Sequence, residues 1–299
     1  MKKEKDLANY EIHTDLAIER ISDENDQEEI IEDLKVITIN DSEKGFYVTI
    51  EFEDVTDSYN QKILTKVFTN NLKKIMRNLK IKQDDTCLVI GLGNQNSTPD
   101  SLGPNVINKI VVTSHLFNLE GIQVDSNYLN VASFAPGVTS ITGIETFEIV
   151  EAIVKKKRPN FLIVIDALVA KSLSRVNRII QLSTSGIRPG SGIGRFQKEL
   201  NQKSLGIPII SIGIPTVVDA QTIVNDTLDY LIKYSPKHKN SKSLENMNEK
   251  EVSDLLDYIL SFHNSNLMVT PKEIDFVIQK LTEVIADGIN TTLHKKSDL

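Results

Sequence analysis

Cys87-Leu-Val-Ile-Gly-Leu-Gly-Asn94, running on into Ser97-Thr-Pro-Asp-Ser-Leu-Gly-Pro104, is the stretch whose reading decides the fold. Four apolar residues make a run short enough for a buried strand. Two glycines follow, then a polar loop with one carboxylate, Asp100. Behind it Val106, Ile107, Ile110 and Val111 recur at helical spacing. Strand, Gly-rich turn, polar loop and helix in that order are the unit of an open α/β sheet. In such sheets ligands bind in the crevice beyond the carboxyl ends of the strands. A second segment repeats the build: Phe161-Leu-Ile-Val-Ile165 delivers another carboxylate, Asp166, at its end. The residues between the two suffice for one β-α-β-α passage.

Outward from this pair, Lys35–Asn40 and Phe46–Phe52 are rich in β-branched and aromatic residues and flank a Gly-containing loop. They read as a hairpin, an antiparallel edge or small subsheet over residues 35–53. The acidic run Asp23–Asp33 reads as a solvated face or loop. Asp57–Lys80 keeps the apolar spacing of one amphipathic helix. Tyr128–Phe134, Asn177–Ser183 and Ile207–Ile214 read as strands. Thr142-Gly-Ile-Glu145 and Thr270-Pro-Lys-Glu273 match capping boxes that open helices, the second reaching about Leu293. Helical spacing through Val217, Ile223, Leu228 and Leu231 puts Asp219 inside a helix. Residues 235–250 are a polar insertion, and Val252–Leu260 reads as a further helix.

Bulk properties exclude several classes. The 299 residues carry a net charge of −7, which leaves no electrostatic footprint for nucleic acid. The single cysteine, Cys87, excludes a disulfide framework and a Cys-based zinc site, and fits a reducing compartment. No apolar run approaches the ~20 residues of a membrane span, and the N-terminus has no apolar core of a secretory signal. A cytoplasmic protein is expected.

Among residues that carry chemistry, Gly91 and Gly93 do not complete a dinucleotide fingerprint, because Asn96 stands where its third small residue belongs. Gly190, Gly192 and Gly194 lack the Gly-Lys-Ser/Thr of a P-loop; their backbone N–H groups suit a phosphate or an extended peptide, and a plain flexible connection fits equally. There is no Gly-x-Ser-x-Gly elbow and no His-Glu-x-x-His, and the five histidines are scattered. What remains is Asp100 and Asp166. A carboxylate pair in one site splits its pKa values, so that one member serves as base and the other as acid. From spacing alone a capping role for either is as good a reading.

The longer motifs decide further. Gly91-Leu-Gly-Asn94, Thr98-Pro-Asp-x-Leu-Gly-Pro104, Pro136-Gly-Val138, Thr142-Gly-Ile-Glu-Thr146, Ile165-Asp-Ala-Leu168, Ser185-Gly-Ile-x-Pro-Gly-Ser-Gly-x-Gly194, Gly213-Ile-Pro-Thr-Val-Val-Asp-Ala220 and Asn266-Leu-Met-Val-Thr-Pro-Lys-Glu273 occur in this order. Together, from about Tyr10 to His294, they resemble the germination proteases of endospore-forming bacteria. Two segments, Ile21–Asp33 and Pro236–Asn264, look shorter than in longer members.

The resemblance implies a three-layer α/β/α sandwich like that of the hydrogenase-maturation endopeptidases, a phosphorylase/hydrolase-like fold, with the hairpin as an excursion. It implies an endopeptidase that begins the degradation of small acid-soluble spore proteins in the forespore and spore core. The family is regarded as an atypical aspartic peptidase, and its two acids match Asp100 and Asp166. It needs no metal or other cofactor, although the maturation enzymes bind a metal near the equivalent acids. Members are homotetramers made as self-processing zymogens. Here that means a propeptide over residues 1–15, a cut between Asp15 and Leu16, and a single peptidase domain over 16–299. Gly190 and Gly192 are expected along the substrate, with Lys171, Arg175 and Arg188 as cations for an acidic side chain before the cut. The alternatives are a metal-dependent maturation-type endopeptidase on the same acids, or a phosphate- or nucleoside-binding protein using the Gly91 and Gly190 loops.

Overall fold

The computed structural model describes residues 14–20, 26–41, 45–119, 121, 123–190, 198–220, 222–224, 226–227 and 267–294. The insertion 235–250, the helix expected over 252–260, and Gly192 and Gly194 lie outside them.

One sheet organises these residues. Its strands are β1 (Gln27–Ile31), β2 (Leu34–Asp41), β3 (Gly45–Glu51), β4 (Thr86–Gly91), β5 (Asn130–Phe134), β6 (Phe161–Ala170), β7 (Ile179–Ser183), β8 (Ile209–Asp219) and β9 (Met268–Val269). The order is β1-β2-β3-β7-β8-β6-β4-β5, with β9 on the far end of β8. Strands β8, β6, β4 and β5 run parallel, while β1, β2, β3 and β7 pair antiparallel. The expected hairpin is therefore the antiparallel edge of the main sheet, joined to it through β3 and β7.

Strand alternation divides the apolar side chains between two faces. Cys87, Val89, Phe161, Ile163 and Ile165 enter one core with helix α1 (Ser58–Asn78), the short α2 (Leu102–Ile107) and the C-terminal helix α4 (Ile274–Leu293). Leu88, Ile90, Leu162 and Val164 enter the other, against Phe147, Val150 and Val154 of α3 (Thr146–Lys157). Helices cover both faces, which makes the expected three-layer sandwich. Helix α1 starts where the Asp57 carboxylate accepts from the Tyr59 and Asn60 N–H groups at 2.9 and 3.0 Å. Among the described residues no helix is long and apolar enough to cross a membrane.

Three local expectations are corrected, and the acidic run, expected as a solvated face or loop, is a solvated strand over Gln27–Ile31. The acidic run contains β1, whose Glu28 and Glu29 face solvent; charges on an edge strand discourage pairing with another chain and hide its strand period. Neither capping box forms. Residues Thr139–Thr142 make a single turn that ends at Gly143, the Thr142 hydroxyl accepts from the Ile144 N–H at 3.2 Å, and α3 begins only at Thr146. The Thr270 hydroxyl donates to the Thr216 carbonyl instead of capping α4. Strand β8 continues to Asp219, which pairs with Met268, because β6 extends beside it as far as Ala170.

Candidate active site

The chain leaves β4 toward β5 on one side, and leaves β6 toward β7 and β8 on the other. The gap between the ends of β4 and β6 is thus the switch point of the sheet, where ligands of such folds bind. Pairing of β4 with β6 ends at Gly91–Ile165, so Asp166 is the first residue of β6 beyond its neighbour. It lies within the strand rather than at its end, which is Ala170.

The glycines after β4 bring the second acid to the same place. A Cβ on Gly91 would lie 2.2 Å from the Gly103 carbonyl oxygen, and one on Gly103 2.2 Å from that of Leu92. The pair lets α2 sit directly on the strand end. Gly93, at φ +113°, would put a Cβ 2.0 Å from the Asp100 carbonyl oxygen. With no side chain there, the turn Thr98–Asp100 folds back on Asn94, whose N–H donates to an Asp100 carboxylate oxygen at 2.9 Å. Burial raises the Asp100 carboxyl to about 6, against the opposing pull of that N–H. Asp166 is 7% exposed. Burial first, then the charges of Asp100 and Asp15, push its carboxyl well above the ordinary range, although the Ala167 N–H holds the other way. Burial thus raises both carboxyls, and Asp166 in addition feels the charge of Asp100.

The third charge belongs to a segment docked against β6. The Asp15 N–H donates to the Val169 carbonyl, and the Val169 N–H to the Asp15 carboxylate, both at 3.0 Å. Leu16 is fully buried, in a cluster with Leu168, Ala170, Val176, Ile179 and Val218. Gln181 of β7 accepts from the Ala17 N–H at 2.6 Å and donates to the Asp15 carbonyl at 3.4 Å. The Glu19 carboxylate receives the Lys171 and Ser172 N–H groups at 2.7 and 3.1 Å, the Thr14 hydroxyl, and the Arg175 guanidinium at 3.1 Å. Residues 14–19 are therefore held at both ends, with the Asp15–Leu16 bond between the anchors and the Asp15 charge felt by Asp166.

The expected cations fall differently. Arg175, with the backbone of Lys171, serves Glu19, four residues after the bond, while Asp15 meets a backbone N–H. Arg188 is exposed, and Gly190, at φ +69°, is the last described residue of its loop. Sequence reading missed Gln181 and Gly213, which strand order brings here, and Glu19, which the docked turn Ala17–Glu19 carries to Lys171–Arg175. Among the described residues no three His, Cys, Asp or Glu side chains converge to hold a metal ion.

Comparison with known proteins gives one consistent family. A family model described as germination protease matches residues 2–245 and 236–299. The germination protease of Bacillus subtilis is 37% identical, over 99% of this chain and 96% of its own. That of Clostridium acetobutylicum is 42% identical, over 90% of this chain and 88% of its own. Among solved structures, the [NiFe] hydrogenase maturation protease HycI of Thermococcus kodakarensis KOD1 matches at 13% identity and a TM-score of 0.36, over 73% of this chain and 97% of that one.

Proposed function

The chain belongs to the germination protease family, and from that premise we propose that it is the zymogen of an endopeptidase that hydrolyses peptide bonds with the carboxyl pair Asp100 and Asp166. Residues 1–15 are its propeptide and 16–299 its peptidase domain. Its substrates are small acid-soluble spore proteins, met in the forespore and spore core, and it works as a homotetramer. The observation that carries the reading is the docked junction. The Asp15–Leu16 bond is anchored on both sides within the field of Asp166, as a bond awaiting cleavage should be.

In the mechanism, Asp166, the more buried acid, holds a proton and Asp100 is the base. Water bonds to the carbonyl carbon as its proton passes to Asp100. The carbon–nitrogen bond then breaks as Asp166 protonates the leaving nitrogen. The Leu16 cluster sets a preference for an apolar residue after the cut, and the Glu19 pocket a preference for an acid further on.

The test is intact mass and N-terminal sequencing of the full chain after incubation at mildly acid pH. A new terminus at Leu16, absent in Asp166→Asn, is expected. A persistent Met1 terminus in a fully active enzyme overturns the zymogen reading. The metal-dependent alternative predicts that exhaustive chelation stops cleavage; the carboxyl-pair reading predicts that it does not.

A further inference from the structure

We propose that the Gln181 carboxamide is the oxyanion-stabilising group of this site: its Nε2–H donates to the carbonyl oxygen of the bond that is cut. The inference rests on the reading of Asp15–Leu16 as that bond, and adds to the two acids a neutral residue from a different strand.

Three observations carry it. First, Gln181 brackets the bond. Its Oε1 accepts from the Ala17 N–H at 2.6 Å and its Nε2 faces the Asp15 carbonyl oxygen at 3.4 Å. The amide orientation is fixed by chemistry, since Ala17 N–H can only donate and a carbonyl can only accept. Second, Gln181 lies in one transverse row with Asp166. Both are register partners of Gly213, Asp166 from β6 and Gln181 from β7. Cross-strand partners project from the same face, and the two flank β8 about 9–10 Å apart, at two strand spacings. Gly213 carries no side chain in the middle of the row, and Leu168 fills that space. A Cβ there would lie 2.3 Å from Leu168 Cδ1, so the missing side chain lets Leu168 lie across β8 as part of the cluster that holds Leu16. On this proposal the carbonyl that Gln181 faces lies on the same sheet face as the Asp166 carboxyl, one row carrying both groups. Third, Gln181 is 8% exposed, so water competes poorly for its donor. The 3.4 Å contact is long for a neutral carbonyl. It tightens when the carbon becomes tetrahedral and the oxygen gains charge, which is the difference between ground and transition state that catalysis needs.

The step balances without a further reactant. Water oxygen bonds to the Asp15 carbonyl carbon, its proton goes to Asp100, and the carbonyl π electrons become an oxyanion facing Gln181. On collapse, the Asp166 proton goes to the Leu16 nitrogen as the carbon–nitrogen bond breaks. Gln181 exchanges no proton.

The experiment measures the first-order rate of Asp15–Leu16 cleavage in the full chain, by intact mass against pH, for wild type, Gln181→Leu and Gln181→Glu. Amide exchange at residues 15–19 reports whether the segment stays docked. Removing one oxyanion donor costs about 10²- to 10³-fold, and a loss of that size is expected for Gln181→Leu. Gln181→Glu separates donation from anchoring. It keeps the acceptor for Ala17 at every pH and regains a donor only when protonated, next to Asp15 and in one row with Asp166. Its rate relative to wild type should therefore rise as pH falls, while its exchange pattern stays wild-type. Cleavage in Gln181→Leu within threefold of wild type overturns the inference. So does a Gln181→Glu deficit that is constant with pH. If wild type does not cut at Asp15–Leu16 at all, the zymogen reading falls and this inference with it, a result distinct from either.

Discussion

Asp100→Asn should make the protein more stable and inactive at once. The carboxyl is held at about 6 against an ordinary 3.8, chiefly by burial. In the folded protein it takes a proton more tightly than in the unfolded chain. Its contribution to stability is therefore full below pH 3.8, falls as pH rises to about 6, and is flat above. At about 1.4 kcal/mol per pH unit, ionised Asp100 lowers stability by about 3 kcal/mol at pH 8 relative to a neutral isostere. Asparagine keeps an acceptor for the Asn94 N–H and carries no charge. Urea unfolding at pH 8, on chains shown by mass to be uncut, should give a gain of about 2–3 kcal/mol. Near pH 4 the gain should shrink to within about 0.5 kcal/mol, the usual scatter for a change that makes no new contact. Removing this charge also relieves Asp166, so the expected gain is not reduced by the pairing. An unchanged or lower stability at pH 8, or a gain equal at both pH values, would refute the claim that burial of a working carboxyl destabilises this site.

Asp166→Asn should likewise abolish cleavage at Asp15–Leu16, whereas Asp219→Asn, at the β8–β9 pairing, should retain it; intact mass reads both. Gly93→Ala forces a Cβ to 2.0 Å from the Asp100 carbonyl oxygen at φ +113°, and should cost about 3 kcal/mol or more, seen as a lower urea midpoint with loss of cleavage. Arg175→Met leaves Glu19 with its backbone donors but without its 3.1 Å ion pair. It should loosen residues 16–19 by about 1–3 kcal/mol, read as faster amide exchange there with little change in the global midpoint.

The parts of this protein visible in sequence are those set by local pattern. The apolar run at Cys87–Ile90, the glycines behind it and the run at Phe161–Ile165 place two acids at one end of a sheet, because a buried parallel strand needs that composition and a ligand crevice follows its end. Where local pattern misled, longer-range pairing had overridden it. Val217 fits a helical stripe by spacing that would take in Asp219, yet pairing of Val217 with β6 and of Asp219 with β9 makes both strand. Thr142 and Thr270 sit correctly for capping boxes, but the Thr142 hydroxyl bonds within its own turn and the Thr270 hydroxyl donates to the Thr216 carbonyl of β8.

The arrangement behind the proposed junction was illegible for a different reason. Asp166, Gly213 and Gln181 are separated by long stretches of chain, and neither spacing nor composition relates them. They meet because the strand order is β7-β8-β6, with β7 antiparallel to β8 and β6 parallel to it. That order is fixed by the whole sheet, including the antiparallel edge that sequence reading set apart from the catalytic half. The edge therefore has a part in the site. Without β3 beside it, paired from Tyr47–Ser183 to Glu51–Ile179, β7 would be an exposed edge, and Gln181 would lose the burial that makes its amide an effective donor. On the proposed mechanism the two halves of the sheet thus supply the two sides of one site. The parallel half delivers the acids, and the antiparallel half delivers the amide and part of the wall that seats Leu16.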